Sequence, residues 1–157
     1  MTLNNLGVIY DHYHSLDSAS QSYRRAIDLK PDAYPAYLNF ANELYVIRYP
    51  KENNMQVLDS SIMLYRKAIA DDPQEPLLYL ALLPAVYDKG DTTATNYYRR
   101  KIQEMAPENY LVYFQIGAIL KKRKQDIEAR SYFDAAKQHC NGDSSLIRQI
   151  ESFSRRP

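Results

Sequence analysis

The sequence is poor in features that mark several common classes of protein. It has no tryptophan, only four glycines among 157 residues, and a single cysteine, Cys140. One cysteine cannot form an internal disulfide, which argues against a small disulfide-stabilised secreted domain. The four glycines are scattered, so the sequence contains no glycine-rich loop that could bind a phosphate group.

The sequence also has no large excess of positive or of negative charge. Twenty Lys and Arg residues oppose nineteen Asp and Glu residues, giving a formal net charge of +1. Nucleic-acid-binding domains usually carry a strong basic excess, because their cations replace the counterions of the phosphates. We therefore expect no nucleic-acid partner.

Long hydrophobic runs are absent. No stretch of about eighteen apolar residues occurs, so the sequence predicts no membrane span. The first residues, MTLNNL, lack a basic segment followed by an apolar one, and we expect no signal peptide. These observations, with the single cysteine, predict a soluble cytoplasmic protein.

The sequence does contain a repeated pattern with a period near 34 residues. Pro31, Pro73 and Pro107 each follow a helix-like run, and a set of large, small and aromatic residues recurs ahead of them. The first set is Leu3, Leu6, Gly7, Tyr10, Ala19, Tyr23 and Ala26; the second is Tyr37, Phe40, Ala41, Leu44, Ser61, Tyr65 and Ala68. The third, with a one-residue slip before its proline, is Tyr79, Leu82, Leu83, Val86, Ala94 and Tyr98; the fourth is Tyr113, Ile116, Gly117, Leu120, Ala129, Phe133 and Ala136.

This spacing predicts pairs of amphipathic helices. Apolar residues at i, i+3, i+4 and i+7 form one buried stripe on each helix. A glycine inside a helix costs about 1 kcal/mol relative to alanine, so Gly7 and Gly117 indicate places where the second helix of a pair approaches closely. The predicted helices lie near 2–14, 16–29, 34–48, 54–71, 76–89, 92–105, 110–123 and 126–139, with a last helix near 144–154.

The pattern resembles the tetratricopeptide repeat (TPR), whose signature is a large residue, then Leu-Gly and an aromatic, then A-x3-F and a closing proline. The resemblance implies an all-α fold, a right-handed α-solenoid of antiparallel helix hairpins forming a TPR-like superhelix. It implies one domain over 1–157, with repeats at about 1–33, 34–75, 76–109 and 110–141, and a solvating capping helix at about 144–154. No equivalent cap precedes Leu3, which suggests a fragment of a longer protein or pairing with another copy.

Two departures from the repeat stand out. Repeat two has eight extra residues between Leu44 and Ser61, which is roughly two helical turns. We expect each helix of that hairpin to be one turn longer, with Tyr49-Pro50-Lys51 at the tip, either as a tolerated insertion or as a ridge that contacts a partner. Pro84 falls inside the first helix of repeat three, where it should bend the helix and free the carbonyl of Leu80.

The resemblance implies that a partner segment binds in the concave groove lined by the first helix of each hairpin. One groove position per repeat holds Asn5, Asn39, Ala81 and Gln115, and an amide can donate to and accept from a peptide backbone. This arrangement is similar to the asparagine ladder of O-linked N-acetylglucosamine transferases and kinesin light chains; short polar residues that simply suit an exposed face are the alternative. The predicted partner-binding residues are Asn5, Asn39, Asn42, Tyr45, Gln115 and Lys122.

Other chemistries find little support. The positions that carry a Lys, Arg and Asn clamp in co-chaperones for acidic carboxyl termini hold no cation here. The run 121–124 (KKRK) is explained by the helix dipole, or by an acidic partner segment. His12 and His14 are two residues apart and do not share a helix face as a metal pair would. We expect Cys140 to be a packing residue, and we predict no catalytic site, no metal and no cofactor.

The sequence thus predicts a non-enzymatic scaffold that binds another protein or peptide. Three alternatives remain open: a docking domain of a larger enzyme, a small secretion-type chaperone, and a homo-oligomer formed through the uncapped first helix.

Overall fold

A computed structural model describes residues 2–32 and 34–155 of the chain, and within these ranges every regular element is helical. The elements are α1 (Leu3–His12), α2 (Leu16–Leu29), α3 (Tyr34–Asn42), a π-helical turn (Glu43–Arg48), α4 (Tyr49–Glu52), α5 (Met55–Asp71), α6 (Pro76–Lys89), α7 (Thr92–Met105), α8 (Tyr110–Lys122), α9 (Asp126–Gln138) and α10 (Ser144–Ser154). The all-α prediction is confirmed, and most helices begin and end within two residues of the positions predicted for them.

The chain divides into two compact units, residues 1–95 and 96–157, and each is described by itself. In the first unit α1 packs on α2, α2 on α3, α3 on α5 and α5 on α6. In the second unit α8 packs on α9, and α10 packs on both. The predicted limits at residues 1, 33 and 157 lie outside the described residues, and the single-domain organisation stays a prediction.

The helix ends follow from local sequence. Side chains of Thr2, Asn54, Glu75, Asn109 and Asp143 each accept a hydrogen bond from a backbone N–H of the first turn that they precede. Such caps satisfy amide groups that have no partner inside the helix. They explain why the helices begin at these positions.

The two glycines of the repeat, Gly7 and Gly117, allow close packing against an aromatic ring of the second helix. A Cβ added to Gly7 would lie 2.7 Å from Cδ1 of Tyr23, and one added to Gly117 would lie 2.9 Å from Cε1 of Phe133. Both distances are shorter than a normal carbon–carbon contact. The glycines therefore let the ring of the second helix lie against the backbone of the first.

The inserted residues of the second hairpin extend its first helix to Glu52. The backbone N–H of Tyr49 bonds to the carbonyl of Leu44, five residues back, which is the hydrogen bond of a π-helical turn. The predicted tip was wrong, because Tyr49-Pro50-Lys51 lie within α4 and the chain reverses at Asn53, whose φ is 45°. Asn tolerates this left-handed conformation better than most residues do.

Pro84 is accommodated without ending its helix, because α6 continues on both sides of it. Pro76 occupies the first turn of the same helix, where a missing N–H costs nothing. In the second unit α10 buries Ile150, and Phe153 packs edge-on against Phe114 and Phe133. The last helix thus covers the apolar side of the α8–α9 hairpin, as predicted for a cap.

Candidate partner-binding surface

Side-chain hydrogen bonds connect the first helices of consecutive hairpins in the first unit. Nδ2 of Asn39 donates to Oδ1 of Asn4 at 3.0 Å, which joins α3 to α1. The hydroxyl of Tyr45 donates to Oδ2 of Asp88 at 2.6 Å, which joins the π-helical turn to α6. We call the surface formed by Asn4, Asn39, Asn42, Tyr45 and Asp88 the first-helix surface.

Asn42 is oriented by the hairpin's second helix. Its Oδ1 accepts a 2.7 Å hydrogen bond from the hydroxyl of Tyr65, whose ring is buried in α5. The amide group is planar, so fixing its oxygen towards α5 turns its two N–H donors away from Tyr65. The hydrogen bond therefore presets the orientation in which Asn42 could meet a ligand.

Exposed apolar side chains accompany these polar groups. Val8 is 46% exposed and lies one turn after Asn4 on α1, while Leu77 is 56% exposed and lies three turns before Asp88 on α6. Residues separated by whole turns share a helix face. Each of these two helices thus presents an apolar and a polar group on the same face.

The residues predicted from the sequence are distributed over both units. Asn39, Asn42 and Tyr45 contribute to the first-helix surface, whereas Asn5 is exposed on α1 and it is its neighbour Asn4 that bonds to Asn39. Gln115, half-buried, and Lys122, exposed, lie on α8 in the second unit. A role for these six residues in binding stays a prediction.

Two of the four cations in the basic run 121–124 at the end of α8 have local partners. Nζ of Lys121 lies 3.7 Å from Oδ1 of Asp126, and Nη1 of Arg123 donates to the carbonyl of Ile119 at 3.3 Å. Lys124 has a positive φ of 59° in the turn that follows. The contact of Arg123 with a carbonyl of the last turn agrees with the favourable interaction between cations and the carboxyl end of a helix.

A buried ion pair, missed by the sequence analysis, lies beside the π-helical turn. Glu43 is 1% exposed, and its Oε1 accepts from Nε of Arg48 at 2.6 Å while its Oε2 accepts from the hydroxyl of Ser20 at 3.2 Å. Nη2 of Arg48 reaches Oδ1 of Asp17 at 3.0 Å. Burial raises the pKa of Glu43 above 4.5, and the hydrogen bond from Arg48 acts in the opposite direction.

The signal for this pair was available in the sequence. Glu43 follows Phe40 by three residues, so it falls on the apolar stripe of the helix, where a charge needs a partner. Arg48 follows Glu43 by five positions, which on an α-helix places the two side chains about 140° apart, since each residue turns by about 100°. The wider π-helical turn brings the two side chains to the same side.

A second buried polar contact joins α1 and α2. The hydroxyl of Tyr23 donates to Oδ2 of Asp11 at 2.5 Å, and Oδ1 of Asp11 is buried with no hydrogen-bond partner among the described residues. Burial raises the pKa of Asp11 above 3.8, and burial together with the hydrogen bond to Asp11 raises the pKa of Tyr23. Tyr23 is thereby held in place on the backbone of Gly7.

The remaining candidate groups are placed in structural contacts. His139 stacks on Tyr113 with ring centroids 4.9 Å apart. Cys140 is 4% exposed, its thiol contacts the carbonyl of Ala136 at 3.2 Å, and burial raises the pKa of that thiol. Among residues 2–32 and 34–155, no three His, Cys, Asp or Glu side chains form a group that could hold a metal ion.

In the described part of the chain, every helix is too short or too polar to cross a membrane.

Solved structures with a similar fold are TPR proteins. TTC0263 of Thermus thermophilus, a thermophilic TPR protein, superposes with a TM-score of 0.76 at 12% sequence identity, over 96% of this chain and 79% of that one. MamA superposes with a TM-score of 0.68 at 18% identity, over 91% of this chain and 79% of that one. YrrB, also a TPR protein, superposes with a TM-score of 0.63 at 18% identity, over 98% and 78%.

No family model matches the chain, and no curated protein matches it in sequence. Sequence identities this low establish a shared fold rather than a shared activity. The chain is built of helix hairpins that pack closely at Gly7 and Gly117, and its structure is similar to those of these proteins. It therefore has the fold of the tetratricopeptide-repeat proteins.

Proposed function

We propose that the chain is a protein-interaction module that binds a peptide segment of a partner on the first-helix surface. The observation that carries the proposal is the orientation of Asn42 by Tyr65, together with the bonded pairs Asn39–Asn4 and Tyr45–Asp88. These contacts hold amide and carboxylate groups in fixed positions, which lowers the ordering cost of binding.

The chemistry of this surface suits an extended peptide. Amide side chains can bond to backbone N–H and C=O groups of any sequence, and Val8 and Leu77 offer apolar contacts on the same helix faces. The TPR protein YrrB is described as having an unusual peptide-binding site, which supports a peptide ligand for this fold. The proposal assigns no catalytic step to the chain.

The test uses peptides selected from a random 12-residue library displayed on phage. We expect Asn39→Ala and Asn42→Asp each to weaken binding of such a peptide at least ten-fold, measured by fluorescence anisotropy. Asn42→Asp keeps an oxygen that can accept from Tyr65 while it removes both N–H donors, so it separates ligand binding from folding.

Gln74→Ala is the matched control, because it removes an exposed amide of the first unit from a turn outside this surface. It should change affinity less than two-fold. If peptides bind the Asn39 and Asn42 variants as tightly as the unchanged protein, while circular dichroism shows intact helices, the first-helix surface is not the binding site.

A further inference from the structure

The first unit contains a cavity that is lined largely by its second helices. This cavity of about 830 Å³ lies between α2 and α5, with Phe40, Leu44 and Arg48 of the helix between them also lining it. This volume falls in the range of about 300–1,000 Å³ that is usual for ligand-binding pockets. We call it the α2/α5 groove; it shares no residue with the first-helix surface.

The groove combines apolar side chains with neutral polar ones. Met63 of α5 is 57% exposed, and Val57 and Leu64 line the cavity beside it. A flexible thioether can adapt to apolar groups of different shape. Polar side chains such as Gln21, Gln56 and Ser60 complete the walls.

Arg24 is the group in the groove that favours an anionic ligand. Arg24, Arg48 and Asp17 are the charged residues that line the cavity, and Arg48 is already paired with Asp17, Glu43 and Glu52. The guanidinium of Arg24 lies 5.6 Å from the ring centroid of Phe40, and in the described part of the chain it forms an ion pair with no carboxylate. A guanidinium stacked on a ring keeps its N–H edge available for a carboxylate.

Arg48, by contrast, is already paired with three carboxylates. Its Nη2 bonds to Oδ1 of Asp17, whose side chain is fully exposed, whereas its Nε is committed to the buried Glu43. Its Nη1 also lies 3.7 Å from Oε1 of Glu52, so the charge of Arg48 is balanced within the protein, and Arg24 is the cation that a ligand carboxylate would meet. The groove therefore offers one cation to a ligand, the guanidinium of Arg24 over the ring of Phe40.

We propose that the α2/α5 groove binds a short segment of a partner protein that carries a carboxylate side chain next to apolar residues. The carboxylate pairs with Arg24, and the apolar side chains contact Met63 and Val57. This site is independent of the peptide-binding function proposed for the first-helix surface.

The experiment selects peptides from a random 12-residue phage library on the unchanged protein, with counter-selection on an Arg24→Glu variant. We expect the surviving peptides to be enriched in Asp or Glu beside Leu, Ile or Phe. Arg24→Glu should weaken their binding at least ten-fold, and Arg25→Glu, the same charge change on the next residue of α2, less than two-fold.

Met63→Gln tests the apolar part of the groove without adding a charge, and it should also weaken binding at least ten-fold. Asn42→Asp should have less than a two-fold effect on these peptides, which separates them from ligands of the first-helix surface. The proposal is overturned if no selected peptide distinguishes Arg24→Glu from the unchanged protein, if Arg24→Glu and Arg25→Glu act equally, or if Met63→Gln leaves affinity unchanged. Helix content and melting temperature of each variant establish that it is folded.

Discussion

The second and fourth hairpins build the same motif with different interiors. In the fourth, α8 and α9 have 13 residues each, and Gly117 lies against Phe133. In the second, the first helix continues through a π-helical turn to Glu52 and encloses the Glu43–Arg48 pair. The first hairpin resembles the fourth, because Gly7 lies against the ring of Tyr23.

This difference shows how an insertion is absorbed by a repeat. In the fourth hairpin Gly117 packs against the ring of Phe133, and apolar packing of this kind needs no partner charge. The lengthened hairpin has a charged residue on its buried stripe, and it needs a change of helical geometry to bring the counter-charge beside it. The stability of the second hairpin should therefore depend on charge, and that of the fourth on shape.

The largest effect is expected from Arg48→Met. This change leaves the carboxylate of Glu43 buried without its cation, and breaking a buried pair in this way costs about 3–5 kcal/mol. Urea unfolding at pH 7 should show this loss in the free energy of unfolding. Met keeps most of the length and apolar volume of the Arg side chain, so the effect reports on charge.

Arg155→Met provides the matched control. Nη2 of Arg155 lies 3.6 Å from Oε2 of Glu151, and the side chain of Arg155 is 80% exposed. An exposed pair contributes about 0–1 kcal/mol. The double variant Glu43→Gln/Arg48→Met should recover part of the loss. Equal losses for Arg48→Met and Arg155→Met would contradict a structural role for the buried pair.

Alanine at the glycine positions should have the next largest effect. Gly7→Ala and Gly117→Ala each gain about 1 kcal/mol of helix propensity but force a ring to move, and overpacking costs about 1–3 kcal/mol. We expect Gly7→Ala to be the more destabilising, because Tyr23 is held by Asp11. Thermal unfolding of both variants measures the difference.

Phe133→Leu in the Gly117→Ala background should restore part of the lost stability, since a smaller side chain makes room for the added methyl group. A Gly117→Ala variant that is more stable than the unchanged protein would show that the ring shifts freely and that helix propensity dominates.

A smaller effect should appear in the pH dependence of stability. Burial raises the pKa of Glu43 in the folded protein above 4.5, so the folded state binds a proton more tightly than the unfolded state. This contribution is fully present below pH 4.5 and is lost as the pH rises towards the raised pKa. Replacing Glu43 by Gln removes it.

The free energy of unfolding of the unchanged protein should therefore fall relative to Glu43→Gln as the pH rises from about 4.5. Chemical unfolding of both proteins at a series of pH values gives this difference directly. If the free energies of unfolding of the two proteins change in parallel over that pH range, the pKa of Glu43 is not raised.

The smallest effect concerns the two turns. Lys124 in the α8–α9 turn and Asn53 in the α4–α5 turn both have positive φ values, 59° and 45°. Lys124→Gly should stabilise the protein by about 0.5–1 kcal/mol, because a left-handed conformation strains most side chains and glycine avoids the strain. Asn53→Gly should change stability by less than about 0.5 kcal/mol, since Asn already tolerates this conformation. Denaturant midpoints of the two variants test whether Lys124→Gly has the larger effect.

The sequence predicted the helices well where the repeat is regular. Gly7 and Gly117, the closing prolines and the apolar spacing all report on packing within one hairpin, and packing of this kind depends on residue size and periodicity. The hydrogen-bond caps Asn109 and Asp143 mark helix starts in the same local way.

The polar contacts were harder to predict because they depend on the relative rotation of different helices. The repeat pattern indicated Asn5 for the groove, but Asn4 is the residue that bonds to Asn39. The π-helical turn was also missed, since the eight extra residues equal roughly two α-helical turns and their number alone does not indicate a wider turn. Glu43 on the apolar stripe was the available signal.

The burial of Cys140 has a practical consequence for spectroscopy. Thiol-reactive dyes attack the thiolate, and here the chain's one sulfhydryl is enclosed and its pKa is raised. The native protein should therefore give little background in maleimide labelling. A cysteine introduced by Ser60→Cys or Asn5→Cys could carry a fluorophore at a single defined position, without any need to remove the natural one.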